Sequence, residues 1–296
     1  MKNFDVSIYG NTIVDTVYKV LTYKEGYSNK GIGKYTSLGG TANTIRALSN
    51  LNRGLEISLH TQLNSSDGDA LYAKRWFSNF NKLYHQKLTT FISQIDIETS
   101  NALIISDVGK NIRSSIVSWG ACEQMKNSDF DGHGAKWNHF MYVDKLPNLT
   151  ANSLKRMPGD GIISVDFCLN EHPDTEKERI FSLLEYVDYA LISEAEASSL
   201  TGRIWENDMA VELGDICKGS VILHTPKGSY ISDGSSVENI ESEFIGKANF
   251  DVLGAGDIFA ASFINHMLES SCEDINASVI FSHQNTTNQL KRKQDV

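Results

Sequence analysis

Between residues 139 and 224, short apolar runs alternate with amphipathic segments, and this alternation limits the fold more than any other feature of the 296-residue chain. The predicted order is strand 139–143, helix 150–157, strand 161–166, helix 175–186, strand 188–192, helices 194–200 and 207–217, and strand 220–224. Strands separated by helical crossovers pair in parallel, and the helices then cover both faces of the sheet. The predicted class is α/β, with a mainly parallel sheet flanked by helices on both faces.

Earlier residues add to this body and interrupt it. Phe4 to Tyr9 alternates like a strand and stops at the turn signal Gly10-Asn11. Residues 16–38 carry Thr, Tyr, Val and Gly without helical period, and read as short strands of a small sheet. Ala42, Ile45, Leu48 and Leu51 then recur at three-residue steps, so a helix opens directly after Gly39-Gly40. A strand over 57–63 and a helix over 69–80, with Leu71, Trp76 and Phe80 inward, follow. Residues 88–118 form a second β-rich patch whose segments 101–106 and 114–119 flank the turn Asp107-Val108-Gly109-Lys110 as a hairpin. The two patches are expected to join as one accessory layer. Near the other end, a hairpin is expected at Ser232-Asp233-Gly234-Ser235, the last large helix near Gly256, and a frayed tail over 291–296.

Composition excludes several function classes. A net charge of −10 argues against general affinity for nucleic acid or anionic membranes, whose phosphates select basic faces. No apolar run approaches the roughly 18 residues of a membrane span, and the first ten residues read as a strand without the apolar core of a signal peptide. Cys122, Cys168, Cys217 and Cys272 form no Cys-x-x-Cys pair, so a reducing cytoplasm and a soluble enzyme or binding protein are expected. The absence of Gly-x-x-x-x-Gly-Lys-Ser/Thr means that any phosphate is held without a P-loop.

One stretch carries chemistry on its own terms. In Asp251-Val252-Leu253-Gly254-Ala255-Gly256-Asp257, small residues precede a helix. The N–H groups of 255–257 then lie unobstructed at the positive end of a helix dipole, which makes an anion hole. Two roles stay open for Asp257: a helix-start carboxylate stabilised by the dipole, or a general base beside bound phosphate.

Asp-x-x-Gly-Ala-Gly-Asp, together with Leu38-Gly39-Gly40-Thr41-Ala42-Asn43 near the start, resembles the two-motif signature of the PfkB/ribokinase family of carbohydrate kinases. Gly10-Asn11-Thr12-Ile13-Val14-Asp15 is similar to the family's first strand end, and the 101–121 segment to its returning lid strands. Ser193-Glu194-Ala195-Glu196 is similar to the family's Asn-x-x-Glu motif, and Val221 to Gly228 to its nucleotide-facing strand and turn. The resemblance spans nearly the whole chain as one kinase domain, with a discontinuous β lid over 12–38 and 88–118.

The resemblance implies MgATP-dependent phosphorylation of a hydroxyl on a small sugar or sugar-derived molecule. Asp257 would serve as base and Gly254, Ala255 and Gly256 as the anion hole. Asp15, Gly39, Gly40 and Asn43 would hold the acceptor. Thr225, Gly228 and Asp251 would lie toward ATP, with Glu196, through water, and Asp166 toward Mg²⁺. It also implies pairing of two lids in a homodimer. Departures exist: Ser193 replaces Asn, Thr225 replaces Gly, and only Asp166 survives of Asp-Pro-Asn-x-Arg. They keep two alternatives open, a catalytically weak sugar- or nucleotide-binding regulator on the same fold and a nucleoside kinase.

Overall fold

The structure is a computed structural model, and it describes residues 4–110, 112–130, 134–168, 174–242 and 253–294. The chain begins with β1 (Phe4–Tyr9), β2 (Thr12–Val20), β3 (Gly31–Gly40), α1 (Thr41–Leu51), β4 (Glu56–Asn64), α2 (Gly68–Tyr84) and β5 (Lys87–Ile95). It continues with β6 (Asn101–Asp107), β7 (Ile112–Ser118), β8 (Ala135–Phe140), α3 (Ala151–Lys155), β9 (Ile162–Asp166), α4 (Asp174–Leu184) and β10 (Tyr189–Ser193). The last elements are α5 (Glu194–Thr201), α6 (Glu206–Ile216), β11 (Ser220–Thr225), β12 (Gly228–Ser232), β13 (Val237–Glu241), α7 (Ala255–Glu269) and α8 (Ile275–Gln294).

Nine strands form one sheet in the order β13-β12-β11-β10-β9-β8-β1-β4-β5. All neighbours from β11 to β5 are parallel, and β12 and β13 add an antiparallel edge. Strand order reverses at β1, which lies between β4 and β8, so a crevice opens there beyond the strand carboxyl ends. Both faces of the sheet are covered. On one, Val6, Ile8, Ile57 and Leu59 pack with Ile45, Phe77 and Phe263; on the other, Tyr9, Phe140 and Val165 pack with Ile180, Leu183 and Leu213. Such two-sided burial is why the strands read as apolar runs.

A second sheet of four strands, β3-β2-β6-β7, stands apart. Its membership corrects the expected layer, because residues 88–95 are not in it. They form β5, which pairs in parallel with β4 from Glu56↔Lys87 to Asn64↔Ile95 at the edge of the large sheet. An edge strand is half-exposed, so its mixed sequence resembles that of the small sheet. Helix α2 buries Ala70, Ala73, Phe77 and Phe80, whereas Leu71, expected inward, is exposed. Asp67 sets this phase by capping the Ala70 N–H at 2.6 Å. The chain also does not end its regular structure with α7: twenty-residue α8 takes in residues 291–294 of the segment expected to fray, whose last two residues lie outside the described ones, and β12 makes a further hairpin with β11.

Phe263 anchors α7 to the sheet, edge-on to Trp137 at 6.1 Å and to Tyr189 at 5.3 Å. Phe263→Ala is expected to cost about 3–5 kcal/mol through lost burial and the cavity left behind. The check is a lower urea midpoint with an unchanged denaturant slope.

Candidate active site

A cleft of about 680 Å³ lies between the small sheet and the carboxyl ends of the parallel strands. Strand β2 sends Ile13 and Asp15 into it from above, and β3 ends there at Gly39 and Gly40. Alternation along β6 and β7 adds Ala102 and Ile104, then Arg113, Ser115 and Val117, so the roof is largely apolar with Asp15 and Arg113 as its charges. Asp166 ends β9, and Ser193 and Glu196 flank the start of α5. Gly254, Ala255, Gly256 and Asp257 close the floor. The two glycine-rich segments expected to act together therefore face one another.

Glycine is required where β3 passes into α1. A Cβ on Gly39 would meet the Asp15 carboxylate, and Gly40, at φ 56°, would drive a Cβ into the Asn11 carbonyl oxygen. Helix α1 begins here with no side-chain cap, and the Thr41 N–H donates to Asn11 O at 2.9 Å. The Thr12 and Thr41 hydroxyls lie 2.7 Å apart and tie β2 to α1.

Asp257 sits in the first turn of α7 and is 4 % exposed. Asn43 Nδ2 donates to its Oδ2 at 2.8 Å, and Tyr142 Oη donates to its Oδ1 at 2.8 Å. Arg46 Nη1 in turn donates to Asn43 Oδ1 at 3.0 Å. Asn43 lines the cleft and spends both ends of its amide on Arg46 and Asp257. Gly254, at φ 76°, begins α7 with its missing Cβ pointing at this Asn43–Asp257 pair. Nothing lies within 4 Å of a Cβ placed on Gly256, so the helix start opens onto free space. The first N–H groups of any helix lack intrahelical acceptors, and at Ala255 and Gly256 they face the cleft wall unobstructed.

The carboxylates on the other side are held by backbone. Tyr142 N–H donates to Asp166 Oδ1 at 2.6 Å, and His139 Nε2 lies 3.3 Å from Asp166 Oδ2. Ser193 N–H donates to Glu196 Oε2 at 2.9 Å, and Glu196 N–H returns to Ser193 Oγ at 3.4 Å, a capping box. Ser193, where the resemblance implies Asn, thus starts α5. Burial, helped by the charges of Asp166 and Asp144, pushes Glu196 up to about 7 against its Ser193 hydrogen bonds. Burial likewise raises Asp144 to about 6.

A second cavity of about 590 Å³ adjoins the cleft, sharing Ser193, His224, Ala255 and Gly256 with it. Its wall also includes Thr225 and Pro226 with Phe259 of α7 and His283, Thr287 and Leu290 of α8. Burial holds His224 and His283 down to about 4, so both rings are neutral at pH 7. Thr225 lines this cavity, but its hydroxyl serves the β11–β12 turn, accepting from Lys227 N–H at 3.0 Å and donating to Gly228 O at 3.1 Å. Gly228, expected toward the nucleotide, lines neither cavity; a Cβ there would strike the Ile240 carbonyl of β13. Asp251 lies outside the described residues.

Sequence reasoning missed Tyr142, Arg113 and the α8 side chains. Tyr142 was findable, because it follows the strand ending at Phe140, where a parallel sheet presents its functional groups. Its backbone is left-handed, φ 55° and ψ 52°, which costs a bulky residue roughly 1–3 kcal/mol.

Burial first and the Asp257 charge second push Asp15 up to about 7, against Arg46 and Arg113. A raised acid holds its proton more tightly in the folded state, so Asp15 stabilises least above about pH 7 and its penalty fades as pH falls toward 4. Asp15→Asn is expected to melt higher than the natural chain near pH 8, by at most about 4 kcal/mol, with the gap closing near pH 4. Melting temperature against pH checks this.

Comparison with known proteins follows the same outline. The model of the pfkB family of carbohydrate kinases matches residues 3–284. Adenosine kinase from Sinorhizobium meliloti superposes with a TM-score of 0.74 at 16 % identity, covering 97 % of this chain and 93 % of that one. Ribokinase from Thermotoga maritima gives a TM-score of 0.72 at 20 % identity, covering 96 % and 91 %. Anopheles gambiae adenosine kinase in complex with P1,P4-di(adenosine-5) tetraphosphate gives 0.73 at 12 % identity, covering 98 % and 100 %. No curated protein matches by sequence. The solved neighbours share the fold, ribokinase-like in its large sheet and separate small one, and the family match over nearly the whole length fixes the lineage: the chain belongs to the pfkB family of carbohydrate kinases.

Proposed function

We propose that the chain phosphorylates a hydroxyl of a small sugar or sugar-derived molecule at the expense of ATP. The observation that carries this reading is the convergence of Asp15, Asn43 and Asp257 on one cleft whose floor is the open start of α7. Asp15 accepts hydrogen bonds from acceptor hydroxyls under the small sheet, which acts as a lid excluding water. Asp257 takes the proton of the attacking hydroxyl. The Ala255 and Gly256 N–H groups, at the positive end of α7, meet the charge on the transferring phosphoryl group. The nucleotide lies in the adjoining cavity, its base against Phe259 and the neutral His224 and His283.

The residues suit Mg²⁺. Magnesium keeps water and substrate phosphates as ligands and needs only one or two protein carboxylates. Asp166 and Glu196 supply those oxygens from the cleft wall, while no group of three such ligands is found among the described residues. When bound with the nucleotide, the ion would draw off phosphate charge.

A nucleoside acceptor is the second reading. The apolar roof of Ile13, Ala102, Ile104 and Val117, with Trp119 beside it, suits a planar base as well as a sugar ring. A screen of ADP release over sugars, sugar phosphates, sugar amines and nucleosides separates the two. Ligand binding with no ADP from any acceptor would indicate a regulator.

Asp257→Asn is expected to lower turnover by two or more orders of magnitude while nucleotide binding persists, the scale of a lost general base. Unchanged turnover would overturn the assignment.

The proposal includes a homodimer through the outer face of the small sheet. Tyr18, Leu103 and Ile116 are exposed there, with Leu103 and Ile116 directly paired across β6 and β7. Ile116→Asp is expected to convert a sedimenting dimer to monomer without unfolding it. The four free thiols accord with a cytoplasmic location, and no helix among the described residues is long and apolar enough to cross a membrane.

A further inference from the structure

We propose that Tyr142 is a positioning residue for phosphoryl transfer, its hydroxyl fixing the Asp257 carboxylate so that one edge faces the acceptor. The inference rests on Asp257 being the base.

Three observations converge. First, Tyr142 keeps a left-handed backbone, φ 55°, that glycine would adopt freely, so its side chain needs a reason to be there. Second, this backbone lets one residue bind two carboxylates: its N–H reaches Asp166 Oδ1 at 2.6 Å and its hydroxyl reaches Asp257 Oδ1 at 2.8 Å. The residue thereby spans the gap between the base and the wall expected to face the metal. Third, Asn43 occupies the other Asp257 oxygen at 2.8 Å and is itself held by Arg46 at 3.0 Å. A carboxylate has about four lone-pair directions. A donor on each oxygen holds the carboxylate against rotation.

The ring is steadied as well. It stands edge-on to Trp119 at 6.3 Å, and its Cε2 lies 3.5 Å from where a Cβ on Gly40 would be, so the first glycine signature makes room for it. Burial and the charge of Asp257 hold the Tyr142 phenol well above its ordinary range, so it remains a donor throughout. Asp15 of β2 and Cys168 beyond β9 also face Asp257, and Arg46 of α1 acts through Asn43. Against the like charge of Asp15, the Tyr142 donor favours the ionised base.

The test replaces Tyr142 by Phe and, separately, by 3,5-difluorotyrosine, whose hydroxyl is a stronger donor. Aspartate carboxyl carbons are labelled with ¹³C, and the Asp257 signal is assigned by its loss in Asp257→Asn. In Tyr142→Phe, Asp257 is expected to titrate at higher pH, and the acid limb of kcat to move the same way. Below that limb kcat is expected to fall about tenfold or more, with acceptor KM within about twofold. The difluoro variant is expected to shift the titration downward. An Asp257 titration unmoved by either variant overturns the proposal, and so does a raised KM with kcat and pH profile intact, which would make Tyr142 an acceptor-binding group. Because the titration needs no substrate, it decides on Tyr142 even if the acceptor screen yields no ADP and the functional reading fails.

Discussion

The hydrogen bond from Asn43 to Asp257 joins residues 214 positions apart, and the site depends on it. Each partner stands at the start of a helix, α1 after Gly39-Gly40 and α7 after Gly254, so the bond brings two helix N-termini together at one point. An ionised carboxylate that is 4 % exposed is costly unless hydrogen-bonded. Asn43 and Tyr142 supply that compensation, and the dipole of α7 adds to it. The glycines follow from the same contact, since Gly254 has no Cβ to collide with Asn43. Sequence motifs at opposite ends of the chain are thus one physical object.

Around this bond the cleft is acidic, in keeping with the net charge of −10. Asp15 and Glu196 are both pushed up to about 7 and Asp144 to about 6, chiefly because burial strips them of water. A polyphosphate entering such a site cannot rely on the field of the whole molecule. Local positive potential at the cleft comes from the open α7 start and from Arg46 and Arg113 near Asp15. The open start of α7, at Ala255 and Gly256, is among the residues that both cavities share.

Most of the parallel body was legible because its strands are buried on both faces and its helices are short, so that Ile162–Asp166 or Tyr189–Ser193 stands out from its flanks. The misread elements lack that contrast. Strand β5 is an edge, half-exposed along most of its length, and nothing local tells which sheet it joins. Helix α8 is rich in Asn, Ser and Thr, poor helix formers, and owes its place to contacts with α7 such as Asn285 Nδ2 to Ser262 Oγ at 2.7 Å. Because its side chains wall one side of the second cavity, losing α8 hid that side. The β3–α1 junction was legible through glycine, whose conformational demand is local. The place of Tyr142 just beyond β8 was readable too, but its two hydrogen bonds arise only where Asp166 and Asp257 converge.

Ser193 and Thr225, the residues that depart most visibly from the family signature, are both occupied in the structure. Ser193 caps α5 and anchors Glu196 within hydrogen-bond reach, so the shorter side chain still orients the carboxylate that the longer one accompanies elsewhere in the family. Thr225 turns its hydroxyl into the β11–β12 turn, which shapes the second cavity by fixing the backbone. In each case the hydroxyl makes local hydrogen bonds that hold the backbone beside the cavities. Loss of letters in a motif is therefore not loss of the local geometry: Glu196 is still held at the start of α5, the β11–β12 turn still walls the second cavity, and the Asn43–Asp257–Tyr142 cluster is joined by hydrogen bonds at both carboxylate oxygens.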